Sequence, residues 1–304
     1  AYRHVFVVPA NGGTARQLTT GNFQHYGPLA WSPNDSNIAF SSDQHADWEY
    51  RTTESDLYEV DINQGTYTQL TQLPGRESSP TYSANGKKIA FIARDNAPVP
   101  YINSTLNVIT KRNKKIANVS NDFDRSVADY KWSGKGDFVI QYDDFGKRKL
   151  AKLSSKGKVT DLVDSLSGTS IGRPYISGSF SLANNGAIAY TQGSSQRPAD
   201  LAYLYKGKSK TLTALNEDLL GHKQLGEVHE LNVKSSFDNE NIQGWYITPP
   251  NFDKTKKYPL LLEIHGGPHL AYGPSFTAEL QRYASEGYVV VYVNYRGSTS
   301  YGKG

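Results

Sequence analysis

One pattern recurs four times between residues 31 and 190, at a period of about 50 residues. Each copy has an aromatic residue followed by serine, then a polar turn, and then an apolar triplet. The triplets are Ile38-Ala39-Phe40, Ile89-Ala90-Phe91, Phe138-Val139-Ile140 and Ile188-Ala189-Tyr190. A repeat of this length is typical of β-propeller blades, in which each unit is a four-stranded sheet. The repeat therefore predicts an all-β fold for this part of the chain.

The polar turns support this prediction, because they carry residues that tight hairpins require. Asn85-Gly86 and Asn185-Gly186 supply left-handed backbone positions between two short strands. Residues 1–20 contain two further short apolar runs, which we interpret as outer strands of a preceding blade. We predict a partial β-propeller of about four to five blades over residues 1–225, with earlier blades upstream of Ala1.

The pattern changes after about residue 225. Two alternating runs, 228–233 and 243–248, are joined by a polar turn and predict a hairpin. An apolar run at 260–264, a helical pattern at 276–285 and a second apolar run at 288–293 follow. Strand, helix and strand in this order start a parallel sheet. We therefore predict a second domain over residues 226–304, with the opening elements of an α/β fold.

The motif His265-Gly266-Gly267-Pro268 follows the first apolar run directly. Two adjacent glycines let the backbone turn sharply and present N–H groups that no side chain obstructs. An oxyanion hole in an α/β-hydrolase uses such a loop after a strand, together with the N–H that follows the nucleophile. We predict that Gly266 and Gly267 are backbone oxyanion donors; the alternative is a strand-to-helix turn without a catalytic role.

The propeller-type repeat, the hairpin, His265-Gly266-Gly267-Pro268 and the run from Asn294 to Gly302 (NYRGSTSYG) together resemble the prolyl oligopeptidase family of serine peptidases. The acylaminoacyl-peptidase-like branch is the most similar. The resemblance implies a propeller followed by the start of an α/β-hydrolase domain. One departure is Ser300, where family members commonly carry glycine.

The family's mechanism uses a serine on a Gly-x-Ser-x-Gly elbow, then an aspartate and a histidine. The resemblance implies that these residues lie downstream of Gly304, so we name no nucleophile, base or acid in this chain. Gly168-Thr169-Ser170-Ile171-Gly172 matches the elbow string by letter. We reject Ser170 as the nucleophile because no helical pattern follows it and because it precedes the His-Gly-Gly strand.

Three further residues are candidates for lining a substrate cleft: His265, His269 and Arg296. For His265 we favour shaping of the loop through hydrogen bonds of its ring over a role as a base, and for His269 we favour a plain surface histidine. Arg296 follows a buried strand at the edge where ligand crevices open, or it forms an ion pair that anchors the next loop. The Gly-Gly-Pro between the two histidines cannot be helical, so we predict no metal site. We also predict no cofactor.

Composition excludes several other classes of function. The chain has no cysteine, which excludes disulfides and a thiol nucleophile. Its 33 basic and 29 acidic residues give a net charge of +4, too small an excess to indicate a nucleic-acid surface. No apolar run could span a bilayer, so we expect a soluble protein without membrane contact, and its compartment, cytoplasmic or periplasmic, stays open. Assembly with further copies of the chain stays open.

The sequence predicts a hydrolase that cleaves short peptides or N-acylated peptides, with a propeller that limits access to the active site. This stretch would supply the oxyanion loop only. Two alternatives stay open: a propeller binding protein with an inactive hydrolase-like module, and an esterase that acts on small esters. Both alternatives share the predicted fold. The presence of the catalytic residues outside this chain would distinguish the peptidase from the binding protein, and activity on amides compared with esters would distinguish it from the esterase.

Overall fold

Each of the four repeats forms one four-stranded antiparallel sheet in which neighbouring strands follow one another along the chain. The computed structural model describes residues 2–97, 102–134, 136–267 and 269–303. Pro268 of the His-Gly-Gly-Pro motif and Lys135 of the third repeat's turn lie outside the described residues. The chain divides into two units, residues 1–127 with 155–157 and residues 128–154 with 158–304.

The first unit contains a two-stranded hairpin and two four-stranded sheets. The hairpin is β1 (Phe6–Val7) and β2 (Arg16–Gln17). The first sheet is β3 (Gln24–Trp31), β4 (Asn37–Asp43), β5 (Asp56–Asp61) and β6 (Tyr67–Gln69), with a 3₁₀ turn at Trp48–Tyr50. The second sheet is β7 (Arg76–Tyr82), β8 (Lys88–Arg94), β9 (Thr105–Thr110) and β10 (Lys115–Asn118).

The apolar triplet of the first repeat explains how these sheets pack. Successive residues of a strand face opposite sides, so Ile38 and Phe40 of β4 pack with Val5 and Leu18, which flank the two strands of the hairpin. Ala39 faces the other way and joins a core with residues of the second sheet such as Phe91. The small side chain in the middle of the triplet therefore lies between two sheets.

The second unit begins with the remaining two repeats. The third sheet is β11 (Val127–Ser133), β12 (Asp137–Asp144), β13 (Lys147–Leu153) and β14 (Val159–Leu166). The fourth is β15 (Phe180–Leu182), β16 (Ile188–Gln192), β17 (Asp200–Tyr205) and β18 (Lys208–Thr211), followed by the short helix α1 (Glu217–Leu220). The prediction of a chain dominated by repeated antiparallel sheets is confirmed, and it is consistent with the propeller-like domain of the family resembled.

The unit ends with a mixed sheet. Its strands are β19 (Val228–Lys234), β20 (Asn241–Ile247), β21 (Leu260–Ile264) and β22 (Val289–Asn294), in the order β19-β20-β22-β21. Helix α2 (Ala278–Ser285) connects β21 to β22, and these two strands pair in parallel, as the sequence predicts. The helix begins at Ala278 because the Thr277 hydroxyl accepts the N–H of Leu280.

One face of this sheet holds the core, and the opposite face is partly exposed. Trp245, Tyr272, Leu280, Val290 and Tyr292 pack together with almost no solvent contact. On β21 the residues at alternate positions point the other way: Leu260, Leu262 and Ile264 are 64%, 52% and 58% exposed.

No helix among the described residues is long and apolar enough to cross a membrane.

Candidate oxyanion loop

The His265-Gly266-Gly267 loop begins where β21 ends. The segment after β22 begins with Tyr295, at the same edge of the sheet, because the carboxyl ends of parallel strands meet there. Parallel pairing therefore brings two segments of the proposed family motif side by side. In open α/β sheets this edge is where ligand crevices form.

His265 joins the two segments. Its ring is buried and stacks on the ring of Tyr295, with 4.3 Å between the centroids. Its Nε2 lies 2.9 Å from the Oγ of Ser298, and that hydroxyl donates its hydrogen to the Tyr295 carbonyl at 2.6 Å. The hydroxyl must then accept from Nε2–H, which makes His265 a donor at this position. These contacts favour the loop-shaping interpretation of His265.

The carbonyl groups of the loop face inward, towards the stacked rings. The Tyr295 hydroxyl lies 3.0 Å from the carbonyl oxygen of His265 and 3.3 Å from that of Gly267. The carbonyl oxygen of Gly266 lies 3.3 Å from Nδ1 of His265. All three carbonyl oxygens are thus within reach of the His265 and Tyr295 side chains.

The peptide N–H groups consequently face the other way. In a trans peptide the N–H of one residue points opposite to the carbonyl of the residue before it. The N–H of Gly266 therefore points away from Tyr295, and the N–H of Gly267 points away from the His265 ring. Within the described part of the chain, no acceptor takes either N–H. The loop thus presents two free donors on the side opposite the packed rings.

Both glycines of the loop are exposed. Gly267 has a φ of +54°, in the left-handed region that side chains rarely adopt. A Cβ added at either glycine would meet no atom within 4 Å. The side-chain position of each glycine is therefore open, and only the backbone conformation of Gly267 requires glycine.

The segment after the loop is tied to the end of β22. The buried side chain of Asn294 accepts the N–H of Tyr272 at 2.7 Å and donates to the carbonyl of Tyr272 at 2.9 Å. The N–H of Thr299 donates to the carbonyl of Leu270 at 3.1 Å. The Asn294 side chain thus pairs with the Tyr272 backbone as a neighbouring strand would, and this pairing fixes the position of the chain that follows the His265-Gly266-Gly267 loop.

Two residues that sequence reasoning missed complete the surroundings of the loop. The Tyr272 hydroxyl donates to Glu263 on β21 at 2.8 Å, and Arg173 pairs with the same carboxylate at 2.9 Å. The only signal in the sequence was Glu263 itself, a charge inside an apolar strand. A carboxylate at such a position needs a charged or hydrogen-bonding partner.

The remaining candidates lie at the rim of this edge. Arg296 forms an ion pair with Asp238 in the β19–β20 turn and covers the ring of Phe237 at 5.9 Å. The bond from Arg296 lowers the pKa of Asp238 to about 2. This contact favours the loop-anchoring interpretation of Arg296. His269 is exposed beyond the glycines, and its role as a cleft residue stays a prediction.

Ser170 lies in the connection between β14 and β15. Its hydroxyl donates to the carbonyl of Arg173 at 3.1 Å, and no helix follows before β15. This environment is unlike a nucleophile elbow, in which a helix begins at the serine. No three His, Asp or Glu side chains of the described residues group in a way that could hold a metal ion.

Comparisons with known proteins identify the family of the chain. The sequence family described as the dipeptidyl peptidase IV (DPP IV) N-terminal region matches residues 1–100. Dipeptidyl-peptidase 5 of Aspergillus fumigatus is 32% identical over 238 residues, which cover 76% of this chain and 32% of that protein. Dipeptidyl-peptidase 5 of Porphyromonas gingivalis is 26% identical over 284 residues, covering 90% of this chain and 40% of that protein.

Among solved structures, an acylaminoacyl peptidase of Pyrococcus horikoshii superposes with a TM-score of 0.71 at 20% identity, covering 96% of this chain and 42% of that one. The chain belongs to the prolyl oligopeptidase family. It spans between 32% and 40% of the length of the two dipeptidyl-peptidases 5. The similarity therefore concerns one part of these prolyl oligopeptidase relatives.

The departure from the prolyl oligopeptidase pattern at Ser300 now has a structural account. Ser300 has a φ of +88°, a conformation that suits glycine. Its hydroxyl accepts the N–H of Gly146 at 2.9 Å, and its carbonyl accepts the N–H of Phe145 at 3.0 Å. The serine thus retains the glycine-like backbone and adds a hydrogen bond to the β12–β13 turn.

Proposed function

We propose that the protein carrying this chain is a serine-type peptidase that hydrolyses short peptides or N-acylated peptides. The 265–267 loop would supply one side of its oxyanion hole. The observation that carries the proposal is the orientation of the Gly266 and Gly267 N–H groups, which point away from the packed rings and have no acceptor among the described residues. The names of the relatives, dipeptidyl-peptidases and an acylaminoacyl peptidase, support peptide substrates.

The chemistry follows from this orientation. When a serine hydroxyl attacks a peptide carbonyl, the carbonyl oxygen becomes negatively charged. Preorganised N–H donors stabilise the charged oxygen of the intermediate more strongly than they stabilise the neutral carbonyl of the substrate, so they accelerate the reaction. In this proposal Gly266 or Gly267 donates from one side, and the residue after the nucleophile donates from the other. The nucleophile, base and acid would come from outside residues 1–304.

The domain assignment is part of the proposal. Residues 1–225 would form propeller blades that limit access to small substrates, and residues 226–304 would open an α/β-hydrolase domain. Two features of β21 support the second assignment. The strand lies at the edge of the mixed sheet, and its Leu260, Leu262 and Ile264 side chains are exposed. An apolar edge strand of this kind is suited to further strands and helices of a larger sheet.

The test compares two glycine-to-valine variants in the full-length protein. Gly267→Val places a β-branched residue at a φ of +54°, which rotates the peptides of the loop. We expect kcat on a chromogenic peptide amide to fall by at least about 100-fold, the usual effect of losing one oxyanion donor. Gly134→Val is the matched control, because Gly134 has a φ of +64°, also has open space, and lies in the β11–β12 turn.

The control variant should lose stability and keep its turnover. Wild-type turnover in Gly267→Val would overturn the oxyanion assignment. A full-length protein that cleaves nitrophenyl esters and no peptide amide would indicate the esterase instead. Absence of both activities would indicate a binding protein.

A further inference from the structure

Residues 173–176, here called the brace segment, contact the chain on both sides of the oxyanion loop. The segment lies between β14 and β15, in the connection from the third sheet to the fourth. We propose that the brace segment positions the Gly266 and Gly267 donors, and that Arg173 is its positioning residue. This inference rests on the proposed function, since it concerns how the same loop is held for catalysis.

The first contact lies before the loop. Arg173 Nη1 pairs with Glu263 Oε1 at 2.9 Å, two positions before His265. The Tyr272 hydroxyl donates to the same oxygen at 2.8 Å. The charge of Glu263 raises the pKa of Arg173, and burial together with the bond to Glu263 raises that of Tyr272. Both groups therefore stay protonated donors at neutral pH, and they fix the carboxylate between them.

The second contact lies after the loop. The N–H of Gly273 donates to the carbonyl of Pro174 at 2.8 Å, and the N–H of Ile176 donates to the carbonyl of Ala271 at 3.1 Å. Tyr175 and Tyr272 form the antiparallel bridge between these two bonds. The loop thus begins and ends at points held by one short segment.

Tyr272 transmits the position of the brace to the glycines. The Tyr272 ring packs edge-on against the His265 ring, with 5.1 Å between the two centroids and 80° between the two planes. His265 in turn stacks on Tyr295, whose hydroxyl lies 3.0 Å from the His265 carbonyl oxygen and 3.3 Å from that of Gly267. A shift of Glu263 or Tyr272 would therefore rotate the peptides that carry the two donor N–H groups.

The Arg173→Gln variant should stay folded. The Arg173 side chain is 46% exposed and that of Glu263 is 14% exposed, and the Tyr272 hydroxyl still donates to Glu263 when the guanidinium is removed. The neighbouring backbone has other anchors at the start of α2: Thr277 Oγ1 donates to the carbonyl of Gly172 at 2.7 Å, and the N–H of Ala278 donates to the carbonyl of Ile171 at 2.8 Å. Loss of the Arg173 charge should therefore leave the protein folded.

The test uses Arg173→Gln and Arg173→Lys in the full-length protein, with Arg197→Gln as the matched control. Arg197 pairs with Glu217 at 2.6 Å, is 32% exposed, and makes its ion pair away from the loop. Small displacements of catalytic groups cost large factors in rate, so we expect Arg173→Gln to lower kcat about tenfold with KM within about twofold. Arg173→Lys should restore most of kcat, and Arg197→Gln should retain the wild-type value.

Amide hydrogen exchange of peptides covering residues 264–273 separates this inference from the proposed function. In Arg173→Gln we expect faster exchange in this stretch, and in Arg197→Gln we expect the wild-type rate, whether or not the protein is a peptidase. Unchanged exchange in Arg173→Gln would overturn the brace. Faster exchange with an unchanged kcat would overturn its role in positioning the donors. A wild-type protein without hydrolase activity would contradict the proposed function. The hydrogen-exchange rates would then still test whether the brace segment holds the loop.

Discussion

Replacing Tyr295 with phenylalanine removes one hydroxyl group and retains the ring. The hydroxyl lies 3.0 Å from the His265 carbonyl and 3.3 Å from the Gly267 carbonyl, and its single hydrogen is shared between them. The change therefore removes about one hydrogen bond. The stacking of the ring on His265, at 4.3 Å, should persist in the variant.

The expected loss of stability is modest. One neutral hydrogen bond contributes about 1 kcal/mol to the free energy of unfolding. For a unit of this size, such a loss lowers the melting temperature by about 2–4 °C. The expected loss of activity is larger, because the peptide that carries the Gly266 N–H is no longer held at its carbonyl end. We expect kcat to fall about tenfold, less than the about 100-fold that follows loss of a whole donor.

The assay measures kcat and KM of the full-length Tyr295→Phe protein on a chromogenic peptide amide, with its melting temperature measured in parallel. KM should change little, because the donors act on the charged intermediate rather than on the bound substrate. A lower melting temperature with wild-type kcat would refute the reasoning. The Tyr295 hydroxyl would then stabilise the fold without orienting the donors.

Two further predictions concern stability. Gly146→Ala should destabilise the second unit by about 1–3 kcal/mol more than Gly207→Ala in thermal unfolding. The two glycines have similar φ values, +77° and +75°, but an added Cβ would lie 2.6 Å from the Trp245 ring at Gly146 and in open space at Gly207. Equal losses of stability in the two variants would argue against this packing. Burial raises the pKa of Glu77 from 4.5 to about 7, so the folded state binds more protons than the unfolded state between these values, and stability should fall as pH rises from 5 to 8. Glu77→Gln should flatten this slope in denaturant titrations, and an unchanged slope would contradict it.

The repeated sheets could be predicted because their signal is local. Each triplet and each turn carries its own strand and hairpin preference, so four copies, such as Ile38-Ala39-Phe40 and Ile188-Ala189-Tyr190, define four sheets. The parallel pairing of β21 and β22 was equally accessible, because two apolar runs with a helix between them have few other arrangements. The small helix α1 was not predicted, since four residues carry no helical period.

The surroundings of the candidate site could be predicted only in part. The sequence identified the two glycines from a motif, and its helix prediction at 276–285 began two residues earlier than the Ala278 start of α2. It gave no indication that Arg173 would reach Glu263, because the two residues lie in elements that are distant in the chain. The orientation of the Gly266 N–H also depends on Tyr295, through a contact that no local pattern encodes.

The most direct test of the oxyanion assignment is a crystal structure of the full-length protein with a peptide boronate bound to its nucleophile. The tetrahedral adduct places a boronate oxygen where the charged oxygen of the reaction intermediate would lie. We expect that oxygen about 3 Å from the backbone nitrogen of Gly266 or Gly267. A boronate oxygen held by other donors, with both glycine nitrogens farther away than about 3.5 Å, would contradict the assignment.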